Sequence, residues 1–161
     1  MSTAVLSLAY EYPKETVSLF TEYTAMLVQL NPGFQAFLDL QRYEDEIQDL
    51  TVKYGLPGGR LYLAWVNGQP AGCIALRKLD EERCELKRLY VRPAYRRQHI
   101  ALQLVNRLLD DARALGYRWM LLDTLPELTD AIRMYRNLGF QDVPRYNDSP
   151  LDDTVFLGLE L

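Results

Sequence analysis

The chain has 161 residues, with 18 basic and 22 acidic side chains, and therefore a formal net charge of −4 at pH 7. This length suits one domain over residues 1–161, which is long enough to bury a full hydrophobic core without a metal or a disulfide. The acidic balance argues against nucleic acid as the main partner.

Cysteine content and hydropathy predict the compartment. Cys73 and Cys84 are too few for a zinc site and are typical of small apolar residues in a reducing environment. The N-terminus shows no basic segment followed by a long apolar run, and no stretch of about 18 apolar residues occurs. We therefore expect a cytoplasmic protein that does not act at a membrane.

The first third of the chain predicts one strand and two helices. The strand covers Val5–Tyr10, and Pro13 marks a break after it. Apolar residues then recur at intervals of three and four, which predicts helices over residues 17–30 and 37–50. Gly55 is expected to close the second helix.

A β-hairpin and a third strand follow. Asn67-Gly68 separates two apolar runs and predicts a tight hairpin turn. The third strand, Arg83–Val91, changes the phase of its apolar alternation between Leu86 and Leu89. Either both faces of this strand are buried or a β-bulge shifts the phase. We favour the bulge, because bulges are common beside active sites.

The second half predicts a strand, helix, strand order, and hence a right-handed parallel crossover. Helical periodicity begins near Ile100 and ends at Gly116, and an apolar central strand starts at Trp119. Thr124 to Glu127 fits a capping box that would start the next helix. That helix carries Tyr135 on its inner face, and two strands close the chain, over residues 140–143 and 154–161.

The segment Tyr95–Ala101 predicts a helix start without a side-chain cap. No Ser, Thr, Asp or Asn lies between Val91 and Ala101 to accept the first N–H groups. Those free N–H groups, the helix dipole, Arg96 and Arg97 together favour an anion such as pyrophosphate. The alternative is a solvated charged turn.

Three segments together resemble the GNAT superfamily of N-acetyltransferases: 85–91, 95–101 and 131–140. In that family a Q/R-x-x-G-x-G/A pattern starts the helix, and its backbone amides hold the pyrophosphate of acetyl-CoA. The last segment has the A-x-x-x-Y-x-x-x-G-F pattern of the family. The resemblance covers residues 61–161 and implies a single α/β domain: a mixed, mostly antiparallel sheet with a parallel βαβ crossover and helices on both faces.

The resemblance implies acetyl-CoA as the acyl donor. The cofactor-binding residues carried over from the family pattern are Leu89, Tyr90, Val91, Arg96, Arg97, Gln98, His99, Ile100, Ala101 and Ala131. His99 stands where the family has glycine. A positive φ there would cost about 1–2 kcal/mol, whereas an ordinary φ would let the imidazole act as a further donor to the phosphate. Leu128 replaces a family asparagine, so a contact to pantetheine is expected to be absent.

Two side chains are implied to carry the chemistry. An amine attacks a thioester only when neutral, so a base must remove its proton, and Glu85 occupies the family position for that base. The alternative for Glu85 is a surface ion pair with Lys87 or Arg88. Tyr135 matches the tyrosine that protonates the departing thiolate, and its alternative is a packed core tyrosine. Backbone N–H groups of residues 89–91 would polarise the acyl carbonyl.

The acceptor is expected to be a small or amino-acid-like amine. Family placement puts it between the loop that joins the first two helices and a late loop, which assigns Phe34, Tyr146 and Asn147 to its binding. Two alternatives differ in class: a catalytically weak CoA sensor, suggested by His99 and Leu128, and a non-enzymatic interaction domain. Family habit implies a homodimer.

Overall fold

A computed structural model describes residues 4–161. Its seven strands form one sheet in the order β1-β2-β3-β4-β5-β7-β6. Only β4 and β5 pair in parallel, and the other neighbours are antiparallel. The strands are β1 (Val5–Leu8), β2 (Arg60–Val66), β3 (Gln69–Lys78), β4 (Arg83–Val91), β5 (Trp119–Thr124), β6 (Gln141–Asp142) and β7 (Val155–Glu160). This mixed, mostly antiparallel sheet is the one that the family resemblance implied.

Six α-helices and a short 3-10 turn lie among the described residues. The helices are α1 (Pro13–Leu30), α2 (Phe34–Leu40), α3 (Tyr43–Glu46), α4 (Thr51–Tyr54), α5 (Ile100–Ala114) and α6 (Thr129–Asn137), and the 3-10 turn is Pro93–Tyr95. They pack on both faces of the sheet, because the strands alternate two apolar sets. In β2, Leu61 and Leu63 enter one core with α1, whereas Tyr62 and Ala64 enter another core with α5.

The predicted second helix, 37–50, is wrong. Two short helices, α2 and α3, stand in its place, α4 follows at Thr51–Tyr54, and the chain turns between α2 and α3 at Arg42, whose φ is +57°. A second break precedes α4, where the Asp49 carboxylate accepts the Thr51 N–H at 3.0 Å. The first break points Glu46 into the protein, where it meets β4, so a tertiary contact overrides the apolar periodicity.

The predicted capping box is also wrong. Thr124 is the last residue of β5 and pairs with Val155, and no side chain caps α6. The helix begins only at Thr129, because Leu125 is buried and its carbonyl closes a turn with the Leu128 N–H.

The hairpin and the bulge are confirmed. Asn67 and Gly68 have φ values of 51° and 76°, as a type I′ turn requires. In the β3–β4 ladder Cys73 faces Tyr90 and Ala75 faces Lys87, so two residues of β4 stand opposite one of β3. One of those two residues is Arg88, with a φ of 58°. The bulge therefore lies between Leu86 and Leu89, where the phase of the sequence changes.

Strands β4 and β5 separate after a short parallel contact. Their pairing covers Arg83–Glu85 against Trp119–Leu121 and stops there. The rest of β4, including the bulge, therefore has a free edge toward β5. This opening in the middle of the sheet determines where the cavities lie.

Candidate active site

The start of α5 has no side-chain cap, as the sequence predicted. The Gln103 N–H bonds the His99 carbonyl at 3.0 Å, which closes the first turn. Arg97 and His99 both have positive φ, 63° and 60°. Left-handed residues at this spacing turn backbone N–H groups toward a common concavity, which suits an anion. Of the two conformations considered for His99, the structure has the strained one.

Two adjoining cavities, which share lining residues, extend from this helix start. The α5 cavity has a volume of about 720 Å³, and the middle cavity has about 330 Å³. Nine of the ten predicted cofactor residues line one or both cavities; they are Leu89, Tyr90, Val91, Arg96, Arg97, His99, Ile100, Ala101 and Ala131. Gln98 lines neither cavity. Met134 of α6 lines both, so α5, α6 and β4 form the walls of one groove.

The groove continues into the opening between β4 and β5. A small inner cavity of about 40 Å³ shares Leu89 and Ala131 with the middle cavity. On its other side lies the far cavity, of about 670 Å³. Lys87 lines both the inner and the far cavity. The four cavities therefore follow one another from the start of α5 to the far side of β4, with neighbouring cavities sharing lining residues.

Glu85 lies in the wall of the far cavity and is only 2% exposed. Its Oε2 accepts a hydrogen bond from the Tyr146 hydroxyl at 2.6 Å. Its Oε1 is buried without a hydrogen-bond partner, and the nearest cation is the Arg77 guanidinium at 3.8 Å. The surface ion pair of Glu85 with Lys87 or Arg88 is wrong, because those cations bond Gln41 and Glu46 instead.

Asp123 is a second carboxylate at this place, at the end of β5 and in the wall of the inner cavity. Its Oδ2 accepts a hydrogen bond from the Asn147 side-chain amide at 2.7 Å. Burial raises the pKa of Asp123, and the charge of Glu85 adds to this rise, while Lys87 opposes it. Tyr146 and Asn147, which are adjacent in the late loop, thus each hold one of the two carboxylates.

Tyr135 lines the inner cavity together with Asp123. It is 4% exposed, and its ring centroid lies 5.6 Å from that of Phe140. Burial raises the pKa of Tyr135, with smaller contributions from Tyr23 and Asp123, so the hydroxyl keeps its proton at neutral pH.

A buried ion cluster attaches the bulge to the short helices. Arg88 donates from Nε and Nη2 to the two oxygens of Glu46, each at 2.9 Å, and Lys53 reaches the same carboxylate at 2.9 Å. Burial by itself would raise the pKa of Glu46, but Arg88 and then Lys53 lower it to about 2. The Arg88 guanidinium also lies 5.3 Å from the Tyr43 ring centroid. This cluster therefore joins Glu46 and Lys53, which line the far cavity, to the bulge residue Arg88.

The structure places the predicted acceptor residues in two cavities. Tyr146 and Asn147 line the far cavity, but Phe34 lines the inner one. Sequence analysis missed Asp123 and Lys87. Asp123 had a usable signal, because it directly follows the apolar run 119–122 of a parallel strand, where functional side chains often lie. Lys87 shares the strand parity of Glu85, which places both side chains on one face of β4.

Comparison with known proteins identifies the class. The model of the acetyltransferase (GNAT) family matches residues 24–140. The chain therefore belongs to the GNAT family of acetyltransferases. An uncharacterized N-acetyltransferase of Schizosaccharomyces pombe is 36% identical over 126 residues, which covers 77% of each chain.

Solved structures share the fold over nearly the whole chain. An acetyltransferase from Streptococcus agalactiae superposes with a TM-score of 0.76 at 23% identity, covering 98% of both chains. A protein from Salmonella typhimurium, solved with its cofactor acetyl-CoA, has a TM-score of 0.68 at 16% identity, covering 99% of this chain and 94% of that one.

No helix within residues 4–161 is long and apolar enough to cross a membrane. Within the same residues, no group of three or more His, Cys, Asp or Glu side chains could hold a metal ion.

Proposed function

We propose that the protein is an acetyl-CoA-dependent N-acetyltransferase that transfers an acetyl group directly to the amine of a small or amino-acid-like molecule. The observation that carries this proposal is the row of four cavities. The row runs from the uncapped start of α5, past Tyr135 and Asp123, to the buried carboxylate of Glu85.

The residues of the groove fit acetyl-CoA. The free amides at the start of α5, with Arg96 and Arg97 beside them, suit a pyrophosphate. The α5 and middle cavities give space for a long, narrow ligand, and the free edge of β4 offers backbone N–H groups to its amides and acyl carbonyl. When bound, acetyl-CoA supplies an activated acyl group as a thioester. Leu128 in the wall of the middle cavity offers no side-chain hydrogen bond.

Each proton has a proposed carrier. The acceptor ammonium gives one proton to Glu85, which releases it to solvent, and the neutral nitrogen then bonds the acetyl carbon as the carbon–sulfur bond breaks. Tyr135 gives its hydroxyl proton to the departing sulfur, and the second proton of the nitrogen restores it. Asp123 is the second candidate for the base, because it shares the inner cavity with Tyr135 and because burial raises its pKa.

Thermal unfolding with and without acetyl-CoA tests the donor half of the proposal. A ligand at 100 times its Kd adds about 2.7 kcal/mol to the free energy of unfolding, so we expect a clear rise in Tm. Absence of any shift at millimolar acetyl-CoA would exclude a CoA function and favour an interaction domain.

Release of free thiol from acetyl-CoA in the presence of amines tests the acceptor half. We expect turnover with some small amines. The variants Glu85→Gln and Asp123→Asn then identify the base, because kcat/KM should no longer rise with increasing pH in the variant that lacks it. Binding of acetyl-CoA without turnover of any amine would instead favour a CoA sensor. The homodimer and the cytoplasmic location stay predictions, and sedimentation velocity would measure the oligomeric state.

A further inference from the structure

Lys87 is a buried ammonium group that forms no salt bridge among residues 4–161, although its charge lowers the pKa of Asp123. It is 8% exposed, and its Nζ donates to the Gln41 side-chain oxygen at 2.8 Å. Within residues 4–161 this is its only hydrogen bond, so two of its three N–H groups lack an acceptor. Burying a charge is costly unless it is paired, so this position needs an explanation other than stability.

The other cations that line the far cavity all have carboxylate partners. Arg42 pairs with Asp45 at 2.8 Å, and Lys53 pairs with Glu46 at 2.9 Å. Arg77 lies 3.8 Å from Glu85. Lys87 is the exception among these residues of the described chain, and it is also the cation that reaches the inner cavity. The far cavity thus holds one buried positive charge that is available to a ligand.

A complementary negative charge lies in the same cavity wall. Glu85 is nearly inaccessible to solvent, and one of its two oxygens has no hydrogen-bond partner. A ligand with both an ammonium and a carboxylate would complement both charges, whereas a simple amine would leave Lys87 without a counter-charge.

We propose that the acceptor is an α-amino acid and that Lys87 binds its carboxylate. This inference rests on the proposed acetyltransferase function. Lys87 lines both the inner and the far cavity, and Glu85 lies two residues before it on the same face of β4, so a carboxylate bound to Lys87 leaves the amine only a few bonds away, on the side of Glu85. The side chain of the amino acid then extends into the far cavity, whose wall contains Phe37, Leu40, Val52 and Leu79. The acceptor is therefore an α-amino acid with an apolar side chain.

Matched acceptors test the carboxylate. L-leucine, L-methionine and L-phenylalanine are compared with their amides and with the corresponding amines that lack the carboxyl group, with acetyl-CoA as donor. We expect kcat/KM for at least one amino acid to exceed that for its amide by about tenfold or more, the size of a lost hydrogen bond to a charged group. Equal or faster turnover of the amide or amine would overturn the inference while leaving the acetyltransferase proposal intact.

Variants of Lys87 test whether this residue binds the carboxylate of the amino acid. Lys87→Met should lower kcat/KM for the amino acid about tenfold and lower that for the amide less than threefold, with the thermal shift by acetyl-CoA unchanged. Lys87→Arg keeps the charge and should retain the preference. Lys78→Met, which removes an exposed lysine paired with Glu81, is the matched control and should leave the preference unchanged.

Two results would overturn the assignment of Lys87. One is an equal loss of kcat/KM for the amino acid and its amide in Lys87→Met, which would indicate a structural role. The other is an unchanged preference in that variant, which would mean that another group binds the carboxylate. If Lys87→Met fails to fold, loss of the preference in folded Lys87→Gln replaces it as the criterion. Absence of turnover with all acceptors would count against the acetyltransferase function itself.

Discussion

The two ends of the groove present different chemical groups to a ligand. At the α5 end the groups offered to a ligand are backbone amides, shaped by the positive φ of Arg97 and His99. At the far end they are charged side chains, Glu85 and Lys87, buried on one face of β4. Backbone recognition depends on the path of the chain, whereas side-chain recognition depends on individual residues.

This difference predicts unequal sensitivity to substitution. At the α5 end a substitution keeps the N–H groups as long as the helix still starts at Ile100. At the far end each charge belongs to a single buried side chain, so a substitution there removes the recognising group altogether.

Glu46→Gln should produce the largest loss of stability. The substitution leaves Arg88 buried without its bidentate carboxylate, and breaking a buried pair costs about 3–5 kcal/mol. Urea unfolding measures the change. Glu81→Gln, which alters an exposed pair with Lys78, is the matched control and should change stability little. Similar stability of both variants would contradict the view that the ion cluster holds the bulge.

The same pair predicts a pH dependence. The folded-state pKa of Glu46 is lowered from 4.5 to about 2, so its contribution to stability is present above pH 4.5 and is lost as the pH falls toward 2. Acid unfolding of the wild type and of Glu46→Gln checks this. The variant should lack this part of the acid transition, and identical pH profiles would count against it.

Tyr135→Phe should slow turnover most among the single-atom changes. Removing a general acid lowers kcat by about 10²-fold or more, while the ring and its packing on Phe140 remain. Steady-state kinetics and the Kd for acetyl-CoA are measured together, and the Kd should stay within twofold. Tyr117→Phe, which removes a hydroxyl that donates to the Gly58 carbonyl, is the control. Parallel loss of turnover and cofactor affinity would mean that Tyr135 is structural.

Tyr146→Phe should have an intermediate effect. It removes the hydroxyl that donates to Glu85 Oε2 at 2.6 Å and leaves that carboxylate without its hydrogen bond. A hydrogen bond to a charged group contributes about 1.5–3 kcal/mol, so kcat/KM should fall by about tenfold or more, with the Kd for acetyl-CoA unchanged. An unchanged kcat/KM would argue that Glu85 is not the base and would favour Asp123.

His99→Gly should have the smallest effect, because the α5 end offers backbone groups. Glycine removes the cost of positive φ, so the free energy of unfolding should rise by up to about 1 kcal/mol, and the Kd for acetyl-CoA should stay within twofold. His99→Ala keeps the strain and should not gain stability. A tenfold weaker Kd in both variants would show instead that the imidazole contacts the cofactor.

Local signals predicted the parts of the fold that local interactions form. Asn67-Gly68 predicted the hairpin turn because few other residues adopt its φ values. The phase change in β4 predicted the bulge, because alternation follows the two faces of a strand. The second helix and the capping box failed for a shared reason. Arg88 holds Glu46 from 42 positions away along the chain, and Val155 pairs with Thr124 in the sheet. Neither partner is visible in a local pattern.

The amino-acid sequence alone predicted the uncapped start of α5 and the bulge, because each depends on residues close together in the chain, and the family resemblance added Tyr135 as the candidate acid. Only the tertiary structure decided the chemistry of the far cavity. Asp123 and Glu85 come from two strands that separate, and residues of the late loop hold both carboxylates. Lys87 became informative only when its burial and its lack of a salt bridge within residues 4–161 were known, because both depend on everything that packs around it.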